Sequence, residues 1–143
     1  MKYLKYILLF LPIFLLLSGC SRIIKQVEIN QSVIDVEAVS QPQEQYSGLS
    51  NRKSLCSNCG MLFIIRPDSS PEFVMRNMNF PLDFIWINNG IIIDLTLNAQ
   101  PEGEAPQTIY QAILPVDYVL EVNAGTVEQF GWHIGDTVKF IYD

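Results

Sequence analysis

At 143 residues the chain has room for a single domain once a leader is set aside, since one core usually takes about 100 to 200 residues. Hydrophobic residues make up 49% and aromatics 11%, enough to build a packed core, which excludes disorder as the default state. The formal charge is −6, with no lysine or arginine run and no basic stripe, which excludes the usual electrostatic route to a nucleic-acid backbone.

The first element is a leader. Met1-Lys2-Tyr3-Leu4-Lys5 supplies two positive charges, residues 7–17 are apolar, and Leu17-Ser18-Gly19-Cys20 follows. This is a signal-peptide layout over residues 1–19. Eleven apolar residues, at about 1.5 Å rise each, fall well short of a hydrocarbon core of roughly 30 Å, so a membrane-spanning helix is the weaker reading. The Leu-Ser-Gly-Cys ending resembles the bacterial lipobox. That resemblance implies cleavage after Gly19, a diacylglycerol on the Cys20 sulfur, and export to the outer face of the cell membrane, or to the outer membrane of a two-membrane organism. Removing the leader leaves seven basic against fifteen acidic residues, a formal charge of −8, which favours cations or cationic surfaces as partners.

Residues 20–32 are expected to be the lipidated cysteine and a tether, and residues 33–143 the domain. Residues 33–39 have strand character. Ser40, Pro42 and Gln43 have the order of an N-cap, a first-turn proline and a capping-box partner, predicting a short helix toward Gly48. Residues 61–65 read as a buried strand, 67–71 as a loop, and 72–76 as another strand.

Asn89-Gly90 lies between two β-rich runs, a strong hairpin signal because both central turn residues need positive φ. A two-residue turn pairs Asn88 with Ile91, Ile87 with Ile92, Trp86 with Ile93, Ile85 with Asp94, Phe84 with Leu95, Asp83 with Thr96 and Leu82 with Leu97. That register gathers Leu82, Phe84, Trp86, Ile93, Leu95 and Leu97 on one face and Asp83 and Asp94 on the other.

Residues 99–109 form a loop, 116–123 alternate as a strand, and 125–130 suit a short helix leaving through Gly131. Gly135-Asp136 then turns into a last strand, 137–142. Six or seven short, mostly antiparallel strands with two short helices predict a mostly β, barrel-like domain, whose closure hides strand edges.

Several islands have a familiar order: Gly48-Leu49 with Arg52; Gly60-Met61-Leu62-Phe63; Met75-Arg76-Asn77 before Pro81-Leu82-Asp83; residues 118–125; and Gly135-Asp136. Together they resemble the family called domain of unknown function 192, over roughly residues 33–140. The resemblance implies a compact β-rich barrel and frequent export, and supplies no reaction or catalytic residue. The chain departs from that family at Val74, where tryptophan is common, at Arg76, where lysine is common, and at Met78, where threonine is common.

Three constellations carry chemistry. Asp83 and Asp94, with Glu121 from a neighbouring strand, would hold a divalent cation or work as an acid–base pair if they converge; otherwise they accept structural hydrogen bonds. Arg76 and Asn77 offer donors to a small polar ligand, or Arg76 pairs with Asp83 or Glu121 and holds a loop. Cys56 and Cys59 form a C-x-x-C that precedes a strand, and the expected reading is a disulfide staple, with thiol redox chemistry as an alternative. No zinc set or other cofactor motif accompanies them, and His133 is the sole histidine, read as a rim residue. The functional expectation is a non-catalytic binding or accessory module with a cleft around Arg76, Asn77, Asp83, Asp94 and Glu121. The rivals are an exported hydrolase using the carboxylates and a thiol-disulfide protein.

Overall fold

The computed structural model describes residues 23–66, 69 and 71–143. The expected leader 1–19, the expected lipidation site Cys20 and residues 67, 68 and 70 of the expected loop lie outside the described residues. The strands are β1 (Ile24–Ile29), β2 (Ser32–Val39), β3 (Cys59–Ile64), β4 (Leu82–Asn88), β5 (Ile91–Ala99), β6 (Tyr118–Asn123) and β7 (Val138–Tyr142). Two short helices, α1 (Pro42–Ser47) and α2 (Thr126–Phe130), interrupt them.

All strands join one seven-stranded sheet in the order β5-β4-β6-β3-β2-β1-β7, and only the β2–β3 pair is parallel. The sheet curls until its two edges touch at one corner. There the Gly90 carbonyl accepts from the Val138 N–H at 2.8 Å, and the Ile92 N–H donates to the Asp136 carbonyl at 3.0 Å. The result is a half-barrel, in keeping with the barrel-like expectation.

The curl buries one face on itself. Val27, Ile34, Leu62, Ile85, Leu120 and Val138 meet there, joined by Val127 of α2 and Trp132. The outer face is just as apolar and needs a separate cover, which Leu49 and Leu55 beyond α1, Ile65 and the segments 71–81 and 99–117 supply. Val39, Met61, Phe63, Phe84, Trp86 and Val119 lie beneath that cover. Phe73 sits among them, with ring centroids 4.9 Å from Phe63 and 5.5 Å from Trp86. Covered on both sides, β4 is buried from Leu82 to Ile87, which explains its nearly unbroken apolar run.

Three expectations are corrected. The tether does not extend to residue 32, because residues 24–29 form β1, paired with β2 and β7. Its inward residues escape a period-2 reading because the ladder shifts between Ile24 and Gln26, bringing Ile24 and Val27, three apart, into the same core. Residues 72–76 are not a strand; this stretch wraps the outer face and makes only isolated bridges, Phe73 with Tyr110 and Arg76 with Glu102.

The hairpin exists and starts in the expected register, Asn88 with Ile91 and Ile87 with Ile92. It then bulges, so that Trp86 faces Asp94, Ile85 faces Leu95 and Phe84 faces Thr96, with a second shift before Leu82 meets Ala99. Trp86 is fully buried and donates its indole N–H to Thr96 Oγ1 at 3.0 Å. Leu95 packs against the inner core while Ile93 packs outside, and Leu97, expected inside, is 56% exposed.

Candidate functional site

Between α1, the segment 71–78 and the outer face of the sheet lies a cleft of about 450 Å³. Local sequence builds its walls. Pro42 opens α1, the Glu44 carboxylate accepts from the Gln41 N–H at 3.3 Å, and Gly48, at φ 49°, ends the helix by donating its N–H to the Glu44 carbonyl. The N-cap is thus Gln41 with Glu44 as its partner, one residue beyond the expected Ser40 and Gln43. Gln45 donates its amide to the carbonyls of Val39 and Ile64, pinning the helix over the ends of β2 and β3.

The second wall is laced to the first. Ser50 Oγ donates to the Arg76 carbonyl and the Asn51 N–H to the Asn77 carbonyl, each at 2.8 Å. Arg76 lays its guanidinium 4.0 Å from the centroid of the Tyr46 ring and donates to the Tyr46 carbonyl at 2.8 Å. It therefore pairs with neither Asp83 nor Glu121, and its role as a loop holder runs through Tyr46. Asn77 takes a left-handed turn at φ 51° and lines a shallower neighbouring hollow with Arg76 and Glu104.

Glu121 forms part of the cleft floor. On β6 it lies between Met61 of β3 and Phe84 of β4, both apolar, and it is only 6% exposed. Gly60 lets β3 come this close, since a Cβ there would stand 2.7 Å from the Glu121 carbonyl oxygen. Among the described residues nothing donates a hydrogen bond to the Glu121 carboxyl. Burial pushes it up to about 8, and the Arg52 guanidinium, 2.8 Å from Glu37, pulls it only part of the way back. Near pH 7 the group is mostly a neutral acid, able to donate a proton or to ionise when a cation arrives.

The other carboxylates are elsewhere. Asp83 pairs with Val122, on the opposite side of the sheet from Glu121, and is 1% exposed. It accepts the N–H groups of Asn98 (2.9 Å), Gly125 (2.9 Å) and Val127 (3.2 Å), which places a carboxylate at the start of α2 and ties that helix to β5. The bulge turns Asp94 to the Trp86 side, two strands across and two residues along from Glu121 and so about 12 Å away. Its carboxylate accepts from the Leu95 N–H at 2.8 Å. The proposed diagonal pair of Asp83 and Asp94 therefore does not exist, nor does a three-carboxylate cation site; among the described residues no such group of ligands converges.

Cys56 and Cys59 are disulfide-bonded, with Cys59 beginning β3 and the Asn123 amide donating to the carbonyls of Leu55 and Cys56. His133 is exposed and uses its backbone N–H on Asp136. Leu49, Phe73 and Met75 line the cleft without having been marked for it by sequence: Leu49 follows the expected short helix, and Phe73 and Met75 fall in residues 72–76, expected as a strand. Val74, Arg76 and Met78, where the chain departs from the pattern it resembles, all line the cleft.

No curated protein matches the chain. Among solved structures, a protein of unknown function from Novosphingobium aromaticivorans is similar at 30% identity and a TM-score of 0.73, over 81% of this chain and 84% of that one. A protein from Sinorhizobium meliloti described as "a putative transcription regulator" is similar at 30% identity and a TM-score of 0.75, over 84% and 95%. The model of the DUF192 family, described as "Uncharacterized ACR", matches residues 25–140, so the match begins within β1. The chain belongs to the DUF192 family.

Proposed function

We propose that this protein is a lipid-anchored binding or accessory module outside the cytoplasm, held to a membrane through Cys20, whose cleft takes a small molecule with an apolar body and one polar end. One observation supports the reading: a glutamate nine-tenths buried, its carboxyl with no donor among the described residues, lines a cleft of ligand size among Leu49, Phe63, Met75 and Leu82. Filling that wall for stability alone would favour leucine or methionine, which carry no desolvation cost. A costly residue facing a concavity is a functional-site signature.

The rivals lack a comparable observation. The hydrolase expected from sequence needs at least two of Asp83, Asp94 and Glu121 close together in one site, and the sheet stands between Asp83 and Glu121 while Asp94 is two strands away. A thioredoxin-like role needs the first cysteine at a helix N-terminus, and this pair leads into a strand. The label on the Sinorhizobium meliloti protein, if carried over, would need a route other than nucleic-acid contact: the chain is acidic, and Lys25, Arg52 and Lys139 are each ion-paired.

Two experiments test the proposal. Changing Cys20 to Ser should abolish the diacylglycerol mass and move the protein out of the membrane fraction; a mutant that stays lipidated and membrane-bound ends the anchor reading. For the cleft, the full-length protein is melted with a series of four- to eight-carbon alcohols, amines and acids. At least one should raise Tm by a few degrees when present at about ten times its Kd. Val74→Trp, which fills the cleft from its wall, should remove that shift; no stabilisation by any of them ends the ligand reading.

A further inference from the structure

We propose that the polar end of the ligand is a protonated amine, with Glu121 as its counter-charge on the cleft floor; this rests on reading the cleft as a ligand site. The Glu121 carboxyl has two oxygens, about four lone-pair positions, and no donor among the described residues. An ammonium group is the complement, bringing three donors and a positive charge on an apolar stem.

The charges around the cleft point the same way. Glu72 also lines it, while the one cation in its walls among the described residues, Arg76, already has its guanidinium on the carbonyl and ring of Tyr46. Arg52, the cation whose field reaches Glu121, is paired with Glu37 of β2. From the flanking strands Met61 and Phe84 add no charge. A formal charge of −6 raises the local concentration of small cations and lowers that of anions. Phe63 and Phe73 give an alkyl or aromatic stem apolar surface to lie against.

Proton accounting fixes the pH dependence. The amine arrives already protonated, and Glu121 releases its own proton to solvent on pairing with it. Amine affinity should therefore rise by nearly tenfold per pH unit on approaching about 8 from below, then level off. A neutral hydrogen-bonding ligand should show no such rise.

The test uses the full-length protein and two probes of matched shape, n-butylammonium and butan-1-ol. The carbon-13 resonance of the Glu121 carboxyl, assigned by its loss in Glu121→Gln, is followed at pH 7. Millimolar butylammonium is expected to move that resonance to its ionised position, and calorimetry in two buffers of different ionisation enthalpy to find close to one proton released. Glu121→Gln should weaken butylammonium by about tenfold or more while changing butan-1-ol by less than about twofold. Butan-1-ol binding without butylammonium binding overturns the amine assignment and leaves the cleft as a ligand site. Butylammonium binding that leaves the resonance unmoved, or is equal in the Gln variant, also overturns it. Silence to both probes overturns the amine assignment, and silence to the whole series of alcohols, amines and acids overturns the cleft reading with it.

Discussion

Two carboxylates, Asp83 and Glu121, lie on adjacent strands with almost equal burial, 1% and 6% exposed, yet in opposite chemical situations. Asp83 points to the inner side and collects three backbone N–H groups. Glu121 points to the outer side, toward the cleft, and collects none among the described residues. Burial alone does not separate a structural acid from a functional one. The supply of donors does, because a saturated carboxylate has been repaid for its lost water and an unsaturated one has not.

A pH series of urea unfolding separates the two acids most widely. Glu121 has an ordinary value of 4.5 and a folded value of about 8, so between them the native state holds a proton that the unfolded chain has lost. Its contribution is fully present below about 4.5, falls as pH rises, and is exhausted above about 8, a change on the order of 5 kcal/mol. Glu121→Gln should remove that decline; an identical slope in the variant would mean Glu121 is ionised and solvated in the native state.

Asp83 should respond next. Asp83→Ala strands three backbone donors at the α2 start and near the end of β5, at a cost of about 3 kcal/mol in denaturant unfolding. Asp83→Asn keeps one acceptor oxygen and should lose roughly half as much, which separates geometry from charge. A neutral Asp83→Ala would erase the distinction between the two acids.

The sequence carried the barrel-like fold, the second helix with its Gly131 exit, the Asn89-Gly90 turn and Glu121 as a candidate. It did not carry the bulges, and most site errors descend from them. In Ile91-Ile92-Ile93 every residue is apolar, so nothing in the composition marks where the ladder slips, and one slipped residue moved Asp94 to the other face. The same kind of slip near Lys25 made β1 resemble a tether. The outer cover was hidden for a different reason: residues 71–78 pack by wrapping, with Asn77 left-handed, and wrapping has no periodic signature.

Arg76 asks how far the Glu121 side depends on its walls. Arg76→Met removes one charged hydrogen bond and a ring contact at a partly exposed position, and should cost about 1 kcal/mol in unfolding. Its larger effect should be on the cleft, since α1 and the 71–78 segment meet there. Weaker ligand-induced stabilisation at nearly unchanged Tm is the expected pattern, whereas a loss confined to Tm would make Arg76 purely structural.

Arg52 gives the smallest effect on stability and the most direct reading of the Glu121 environment. Its ion pair with Glu37 joins two substantially exposed side chains and is worth about 0–1 kcal/mol, so Arg52→Met should barely move the unfolding midpoint. The same change removes the positive field of Arg52, the one among the described residues that favours the ionised form of Glu121, and desolvation then acts unopposed. The Glu121 midpoint, followed through its carboxyl carbon resonance, should move upward from about 8 in the variant. A midpoint that stays put would mean that Glu37 fully neutralises Arg52; one that falls would mean that burial is not what holds the proton on Glu121.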